Sequence, residues 1–455
     1  MGILLDQLGY IAISVLAVRL LYNGRWTLSS LLLTGLSAYD IPDEPDEKAP
    51  ERRSGGGSEQ MPRRRRRRLE QERRHKLDLG NAEEIVVMKL SRTTVEESEF
   101  FSVFDYLVML AALTAINFAS GLVGEALFGV RNSITVPLAI ITILGGVWAL
   151  AQVELLSDLT PRHERMYMFG LVACLFAACY AFLLLAPLWM VDFKLQASIK
   201  ELGVAVTKAV AARLQQPKGE VPTVMFDPLV VFLPLSAVCC VLGGLMFTPA
   251  VRGMRSHYLW QSPPRDLRHF MEPGVLTVAI LQLRFLAALL CIISWIDPVI
   301  ELLNGPPWLL EVSKPTLVLL WAVLQLASFR PLVQGYLHGA LVQWHSLRMR
   351  GGDKKDEQSI KTIITLKVQV NTFLLCRVGV QMLAPAVITA CCGLVMIVMR
   401  VWMAGGVTVS DDGESAFPSM ALYHFGGFCA WWTCLLWFIY SGLTLSMYRF
   451  GLLVN

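Results

Sequence analysis

The sequence of 455 residues has little charge and carries none of the short motifs that mark common catalytic sites. Charged residues make up 17% of the chain and hydrophobic residues 55%, whereas a soluble domain is about one quarter charged. No G-x-S-x-G, H-E-x-x-H or G-x-x-x-x-G-K-[ST] motif occurs, and no apolar stretch holds a pair of carboxylates. We therefore expect a membrane protein that is not an enzyme and has no cofactor.

The ten cysteines also lack a pattern that would indicate chemistry. All of them fall in or beside apolar stretches, and none has zinc-ligand spacing with a histidine. We interpret them as small buried hydrophobic residues and expect no metal site.

Long apolar stretches recur along the chain and predict membrane-spanning helices. Residues 275–296 are an example, because a helix of this length, rising about 1.5 Å per residue, crosses the ~30 Å hydrocarbon layer. The pattern predicts an all-α, polytopic helical membrane protein with about nine transmembrane helices. The predicted spans are residues 3–21, 104–123, 134–153, 166–190, 228–247, 275–296, 315–329, 378–398 and 425–447.

Two further stretches predict helices that lie in the membrane interface. Residues 26–36 are apolar but too short to cross a bilayer. Between residues 195 and 214, apolar side chains recur at helical spacing, with lysines on the opposite face. The apolar positions are Leu195, Ile199, Leu202, Val206, Val210 and Leu214.

Composition divides the chain into three regions. Residues 1–42 hold the first span and a short interfacial apolar segment, and residues 100–455 form the helical transmembrane bundle. Residues 43–99 are highly charged, so they bury too little apolar surface to offset the entropy of folding. We expect this segment to be a largely disordered cytosolic loop, with a short amphipathic element over residues 79–90.

Six consecutive arginines stand out in the charged loop. We interpret them as a solvated patch that touches anionic lipid headgroups, at about 1 kcal/mol per basic side chain near the surface. Docking of a partner protein is the alternative, and a predicted span upstream argues against nucleic acid or nuclear import. The residues are Arg63, Arg64, Arg65, Arg66, Arg67 and Arg68.

Basic residues concentrate in alternate loops between the predicted spans, which indicates the orientation of the chain. The positive-inside rule then predicts an exoplasmic N-terminus and a cytosolic C-terminus.

Arg284 lies near the middle of the predicted span 275–296. A central arginine costs about 2.5–3.5 kcal/mol on insertion scales, so it normally has a partner or faces a polar cavity. No acidic residue lies at the middle of another predicted span, although Gln325 and Gln381 are polar and within reach. Arg284 either snorkels or caps backbone carbonyls, or it forms an anion or headgroup site inside the bundle.

The motif F-x-P-x-V-x-G occurs twice, at residues 247–253 and 329–335. Proline ends or kinks a helix, so the motif is either two helix stops or a duplicated hinge that turns a span into an interface helix. Histidines follow both copies: His257 after the first, and His338 and His345 after the second.

An ordered set of short motifs resembles the transmembrane protein 161 family. The motifs are Pro249-x-x-Arg252 followed by His257, Arg330-Pro331-x-x-Gln334-x-Tyr336-Leu337, Gln381-x-Leu383-x-Pro385 and Trp431-Trp432-Thr433, with Gln7-Leu8 and Thr93-Thr94-Val95 in the same order. The resemblance covers nearly the whole chain. It implies a multi-pass eukaryotic membrane protein of the secretory pathway (endoplasmic reticulum, endomembrane or plasma membrane), with no established catalytic activity or substrate and no catalytic residues to carry over. The arginine run and Arg284 are not part of the family pattern.

Three functions remain open from the sequence. The preferred one is a non-enzymatic regulator or scaffold that binds lipids, anionic headgroups or partner membrane proteins, and no nucleic acid. The alternative is a channel or transporter with a polar route along Arg284, Gln325 and Gln381, which should converge on one cavity. A lipid-modifying enzyme would instead require His257 or His338 to approach an acid, and the acids considered are Asp266 and Glu272.

Overall fold

The structure is a computed structural model, and it is helical over most of the part that it describes. It describes residues 2–23, 27–40, 76–77, 85–128, 132–157, 162–189, 191, 193–214, 225–296, 307–350, 366–404 and 419–453. The six arginines at 63–68 and most of the charged loop lie outside the described residues.

Fifteen helices and three short strands follow one another along the described chain. The helices are α1 (Gly2–Asn23), α2 (Leu28–Leu33), α3 (Arg92–Glu96), α4 (Phe101–Phe128), α5 (Thr135–Ala151), α6 (Arg162–Trp189), α7 (Leu195–Leu214), α8 (Pro228–Leu245), α9 (Phe247–Gln261), α10 (Val275–Ile293), α11 (Pro307–Ala327), α12 (Phe329–Arg350), α13 (366–373), α14 (Leu375–Ala404) and α15 (Ser419–Arg449). The strands are β1 (Ser37–Asp40), β2 (Lys76–Leu77) and β3 (Ile85–Lys89). A π-helical segment (Gln152–Leu156) extends α5, and a 3₁₀ turn (Arg265–Phe270) follows α9.

Within the described residues, eight helical units are long and apolar enough to cross a membrane, counting α8 with α9 and α11 with α12 as single units. The helix α1, 22 residues long, coincides with the first predicted span. It packs closely along α4, since a Cβ at Gly124 would overlap the Tyr10 hydroxyl. These eight units coincide with the last eight of the nine stretches predicted from hydropathy, whereas the apolar part of α1, Gln7–Arg19, is shorter. The prediction of an all-α polytopic membrane protein is confirmed, and the number of nine crossings stays a prediction.

The helix α14 lies at the centre of the bundle. In its most apolar stretch, 89% is buried inside the protein. The corresponding share for α6, at the periphery, is 17%. It packs against α5, α11 and α15. A helix that is apolar on all sides is expected to lie inside a bundle, whereas the exposed apolar residues of α6 suit contact with lipid.

The predicted surface helix 195–214 forms as α7, and part of its apolar stripe faces protein. Leu195 and Ile199 are buried in the main core, and Glu201 accepts a hydrogen bond from the backbone N–H of Ala421 at 3.1 Å. Val210, further along the stripe, is exposed. The stripe therefore divides between α15 and the outside of the bundle.

The two F-x-P-x-V-x-G motifs lie where one helix passes into the next after a single turn residue, Met246 or Ser328. Each proline occupies the first turn of the second helix, where its missing N–H is harmless. Each motif therefore begins a new helix after a one-residue break, as a helix stop or a hinge would, and the position of α9 and α12 in the membrane interface stays a prediction. The helices that follow, α9 and α12, pack on each other.

The contact between α9 and α12 uses the second motif and residues that follow the first. The Trp260 indole N–H donates to the carbonyl of Pro331 at 2.8 Å. A Cβ at Gly335 would lie 2.9 Å from the Cβ of Ser256, so glycine is needed for this close approach. The equivalent Gly253 has more room, its nearest neighbour being the Met382 sulfur at 3.5 Å.

A three-stranded antiparallel sheet, in the order β1–β3–β2, joins segments from both sides of residue 43. In it Ser37 pairs with Lys89. The predicted interfacial helix 26–36 is helical only over Leu28–Leu33, which is buried against protein rather than free in an interface. The described residues of the charged loop form β2, β3 and α3, and the amphipathic element expected over 79–90 includes the strand β3.

The sheet docks on α12 through Gln334 of its motif and through His338, which follows the motif. The Gln334 amide accepts from the Ser37 N–H at 2.9 Å and donates to the Ser37 carbonyl at 3.0 Å. The Tyr39 hydroxyl lies 2.6 Å from Nδ1 of His338. Burial raises the pKa of Tyr39, so its hydroxyl keeps a proton for this bond. One end of the helical bundle thus carries a small three-stranded layer.

Candidate functional site: a basic cleft and a buried polar cluster

A cleft of about 700 Å³ opens where α9, the 3₁₀ turn, α10 and α15 meet. Three exposed arginines line it, Arg265, Arg268 and Arg449, together with one exposed acid, Glu272. Its apolar wall includes Val278 and Leu281. We call this the basic cleft, and its surplus of positive charge favours an anionic ligand.

The chain between α9 and α10 forms the rim for local reasons. Pro263 and Pro264 follow the last turn of α9 and prevent its continuation. In the 3₁₀ turn that comes next, residues three apart share one side, which places Arg265 and Arg268 together. The fully buried Leu267 anchors the turn to the protein.

His257 forms part of the inner wall of the basic cleft. Its side chain is buried, and neither ring nitrogen has a hydrogen-bond partner among the described residues. The ring packs edge-on against Phe285 of α10 at a centroid distance of 5.4 Å.

Arg284 lies one turn deeper than Leu281 on α10 and is 1% exposed. Its guanidinium carbon is 5.4 Å from the ring centroids of both Phe285 and Trp437. Nε and Nη2 are buried, and neither has a hydrogen-bond partner within the described chain. Desolvated cation–π contacts contribute about 2 kcal/mol, which offsets only part of the ~2.5–3.5 kcal/mol insertion cost of a central arginine.

Four more buried side chains with unpartnered polar atoms in the described structure lie on the helices around Arg284. The ring centroids of Trp321 and Trp437 are 5.5 Å apart. Gln325 is one helical turn further along α11 than Trp321. Tyr440 and Ser441 are one turn beyond Trp437 on α15. We call the whole set the inner polar cluster, and its members are His257, Arg284, Trp321, Gln325, Tyr440 and Ser441.

A second polar group in the bundle is hydrogen-bonded internally. Gln381 of α14 donates to the Glu154 carboxylate and accepts from Nη1 of Arg252 at 2.7 Å. Nη2 of Arg377 donates to the Val153 carbonyl at 3.0 Å. We call Glu154, Arg252, Arg377 and Gln381 the carboxylate network.

The π-helical segment accounts for the position of the carboxylate network. A π-helical turn breaks the regular α-helical bonding, and here Glu154 and the Val153 carbonyl both lie within it. Glu154 is buried at this turn. The network therefore joins α5, α9 and α14 through the hydrogen bonds of Gln381 and of Arg377 Nη2.

The three residues predicted to line one polar route belong to two different groups. Arg284 and Gln325 are members of the inner polar cluster, whereas Gln381 hydrogen-bonds within the carboxylate network. Gln381 is therefore engaged in a different group from Arg284 and Gln325, and a common polar route stays a prediction. The headgroup patch Arg63–Arg68 lies outside the described residues.

The histidine–acid pairs expected for a lipid-modifying enzyme do not form among the described residues. His345, rather than His257 or His338, approaches Asp266, with Nε2 to Oδ2 at 3.1 Å. His338 contacts Tyr39 instead. His257 and Glu272 line the same cleft without a hydrogen bond from the histidine ring.

Sequence reasoning missed Trp437, the bond from Arg252 to Gln381, and the pairing of Glu154 with Gln381, which are 227 positions apart. A tryptophan in an apolar stretch carries no sign that it will contact an arginine. The pairing depends on helix packing, for which one sequence holds no local signal.

The family model described as predicted transmembrane protein 161AB matches residues 8–405. The chain belongs to this family. The match confirms the resemblance and the multi-pass membrane character. It covers the carboxylate network and the α9–α12 contact, whereas α15, which supplies Trp437 and Arg449, lies after its end. No curated protein and no solved structure matches the chain.

Proposed function

We propose that this family member is a non-enzymatic regulator or scaffold that binds an anionic lipid headgroup in the basic cleft. The observation that carries the proposal is the convergence of Arg265, Arg268 and Arg449 on one cleft. Guanidinium groups bind phosphate with paired, charge-assisted hydrogen bonds. Each basic side chain near a membrane surface adds about 1 kcal/mol to the attraction of anionic lipid.

Two further features of the cleft suit a phospholipid. Val278 and Leu281 offer an apolar wall for the glycerol and first acyl carbons. The helix α10 begins at the cleft after Gly274 without a side-chain cap, so its first backbone N–H groups favour negative charge. The phosphate of the lipid would thus lie at the start of α10, and its acyl chain would lie against the apolar wall.

The proposed orientation puts the N-terminus on the exoplasmic side and the C-terminus in the cytosol. The cleft, at the C-terminal end of α15, would then face the cytosolic leaflet, where anionic lipids are enriched. Eukaryotic secretory-pathway membranes are the proposed location. Site-specific labelling checks this orientation, because labels at 63–68 and after Tyr448 should react from the same side.

The headgroup proposal is tested with the full chain in nanodiscs containing phosphatidylcholine with or without phosphatidic acid. Substituting Arg265→Gln and Arg268→Gln together should weaken phosphatidic acid binding roughly 30-fold. Arg162→Gln with Lys367→Gln removes two exposed cations outside the cleft and is the matched control. Equal binding by the two double variants would contradict the proposal.

A channel or transporter is the second candidate function, and the inner polar cluster favours it. Unpartnered polar groups inside a bundle are typical of a hydrated or substrate-binding interior. Its route would pass Arg284 and Gln325, with Gln381 already engaged by Arg252. Anion flux into protein-containing liposomes, abolished by Arg284→Gln, would favour this function over headgroup binding alone.

A further inference from the structure

We infer that the inner polar cluster is a second, buried anion site, in which Arg284 binds a phosphate group with Nε and Nη2. These two atoms lie on one edge of the guanidinium, the edge that accepts two phosphate or carboxylate oxygens side by side. Both are buried and unpartnered among the described residues. The site is distinct from the exposed arginines of the basic cleft, which Arg284 does not join.

The chemistry of the unpartnered atoms specifies the charge of the ligand. Indole Nε1 of Trp321 and amide Nε2 of Gln325 are donors only, and the hydroxyls of Tyr440 and Ser441 can each donate. None of the six members is a carboxylate. A set that offers donors and one fixed positive charge is complementary to a group with several acceptor oxygens, which describes a phosphate.

The aromatic residues around Arg284 raise its selectivity for an anion. They satisfy the face of the guanidinium through cation–π contacts and leave its edge without an acceptor. Buried polar groups are nearly always hydrogen-bonded, and a donor left unpaired is destabilising. A bound phosphate would satisfy the edge and cancel the buried charge at once.

Access runs from the basic cleft. His257 and Leu281 line its inner wall, and both lie beside Arg284: His257 through Phe285, and Leu281 three residues earlier on the same helix. That separation is about 4.5 Å along the helix axis. The rim arginines attract the anion, and a displacement of the His257 or Leu281 side chain admits its phosphate to Arg284.

The same phosphate chemistry has two sources, a lipid headgroup from the bilayer or inorganic phosphate from water. The experiment therefore measures the thermal unfolding shift and the affinity of the full chain in phosphatidylcholine nanodiscs with either inorganic phosphate or short-chain phosphatidic acid. Binding of phosphatidic acid alone assigns the lipid source, and binding of inorganic phosphate assigns the aqueous one. Failure of both ligands to bind overturns the inference.

Two variants report on the buried site itself. Arg284→Gln should weaken binding of the active ligand roughly 10- to 100-fold, since it removes charge-assisted bonds. Tyr440→Phe should weaken it roughly 2- to 10-fold while leaving the ligand-free unfolding temperature unchanged or higher, because it deletes an unpartnered hydroxyl. Tyr423→Phe, near the opposite end of α15, is the control.

The outcomes separate this inference from the headgroup proposal. If the Arg265/Arg268 double variant loses binding while Arg284→Gln and Tyr440→Phe keep full affinity, the ligand stays at the rim and the buried site is refuted. If Arg284→Gln does not fold, Tyr440→Phe decides alone. Loss of affinity in Tyr440→Phe supports the site, and unchanged affinity overturns it.

Discussion

The carboxylate network and the inner polar cluster both bring cationic side chains into the same bundle, yet they are satisfied differently. In the network, Gln381 bonds both Glu154 and Arg252. In the cluster, the Arg284 guanidinium lies over two aromatic rings, and its Nε and Nη2 have no hydrogen-bond partner within the described chain. Because partnered buried charges hold helices together and unpartnered ones do not, the first group suits structure and the second suits a ligand.

The helix α9 contributes to both groups and so couples them. Arg252 joins the network, and His257, further along the helix, belongs to the cluster and the basic cleft. The helix α9 is also held in place by its packing on α12. Substitutions on these elements can therefore test the difference between the groups.

The largest effect is expected from breaking the carboxylate network. Glu154→Leu leaves the nearby arginines without their buried counter-charge and should lower the free energy of unfolding by about 3–5 kcal/mol. Chemical or thermal unfolding in detergent measures the loss. The control Glu97→Leu, at an exposed acid, should change it by about 0.5 kcal/mol or less. Similar losses in both would show that the network contributes no special stability.

The contact that holds α9 should be the next most sensitive feature. Gly335→Ala forces its new methyl group against Ser256 and should cost about 1–3 kcal/mol by overpacking. Gly253→Ala, at the same motif position of the other copy, meets only ordinary contact. It should be neutral or slightly stabilising, by about 0.5–1 kcal/mol. Equal effects on unfolding would mean that the two motif copies pack alike.

Removing the charge of the inner polar cluster should have a smaller effect on stability than breaking the network. Arg284→Met loses cation–π contacts of about 2 kcal/mol but also removes a buried charge that costs about 2.5–3.5 kcal/mol. The unfolding free energy without added ligand should stay within about 1 kcal/mol of the original protein. Loss of expression or of several kcal/mol would instead assign Arg284 a structural role.

The smallest effect concerns a single hydroxyl in each environment. Ser441→Ala removes a buried, unpartnered hydroxyl and should raise the unfolding free energy by up to about 1 kcal/mol. Ser14 is also buried, but it accepts a hydrogen bond from Asn117 at 3.2 Å. Ser14→Ala should therefore lower the unfolding free energy by about 1 kcal/mol. Changes of opposite sign in the unfolding free energies of the two variants would confirm that the two hydroxyls differ in hydrogen bonding. Changes of the same sign would contradict it.

Several features of the site were accessible from the sequence and others were not. The central position of Arg284 and the lack of an acid at its depth already marked it as a residue that either snorkels or caps carbonyls, or forms an anion site. The motif at 329–335 was visible as a repeat, but its role in packing α12 on α9 was not. The sheet was missed because β1 and β3 are short and belong to segments that composition assigned to different regions.

The sequence alone determined that lipid surrounds this protein and where its helices cross, because hydropathy acts locally and accumulates over each span. The tertiary structure alone decided which buried polar groups have partners. Glu154 meets Gln381 across 227 positions, and the Arg284 guanidinium lies over the Trp437 ring. Such pairings depend on the rotation and depth of each packed helix, which no local pattern of residues specifies.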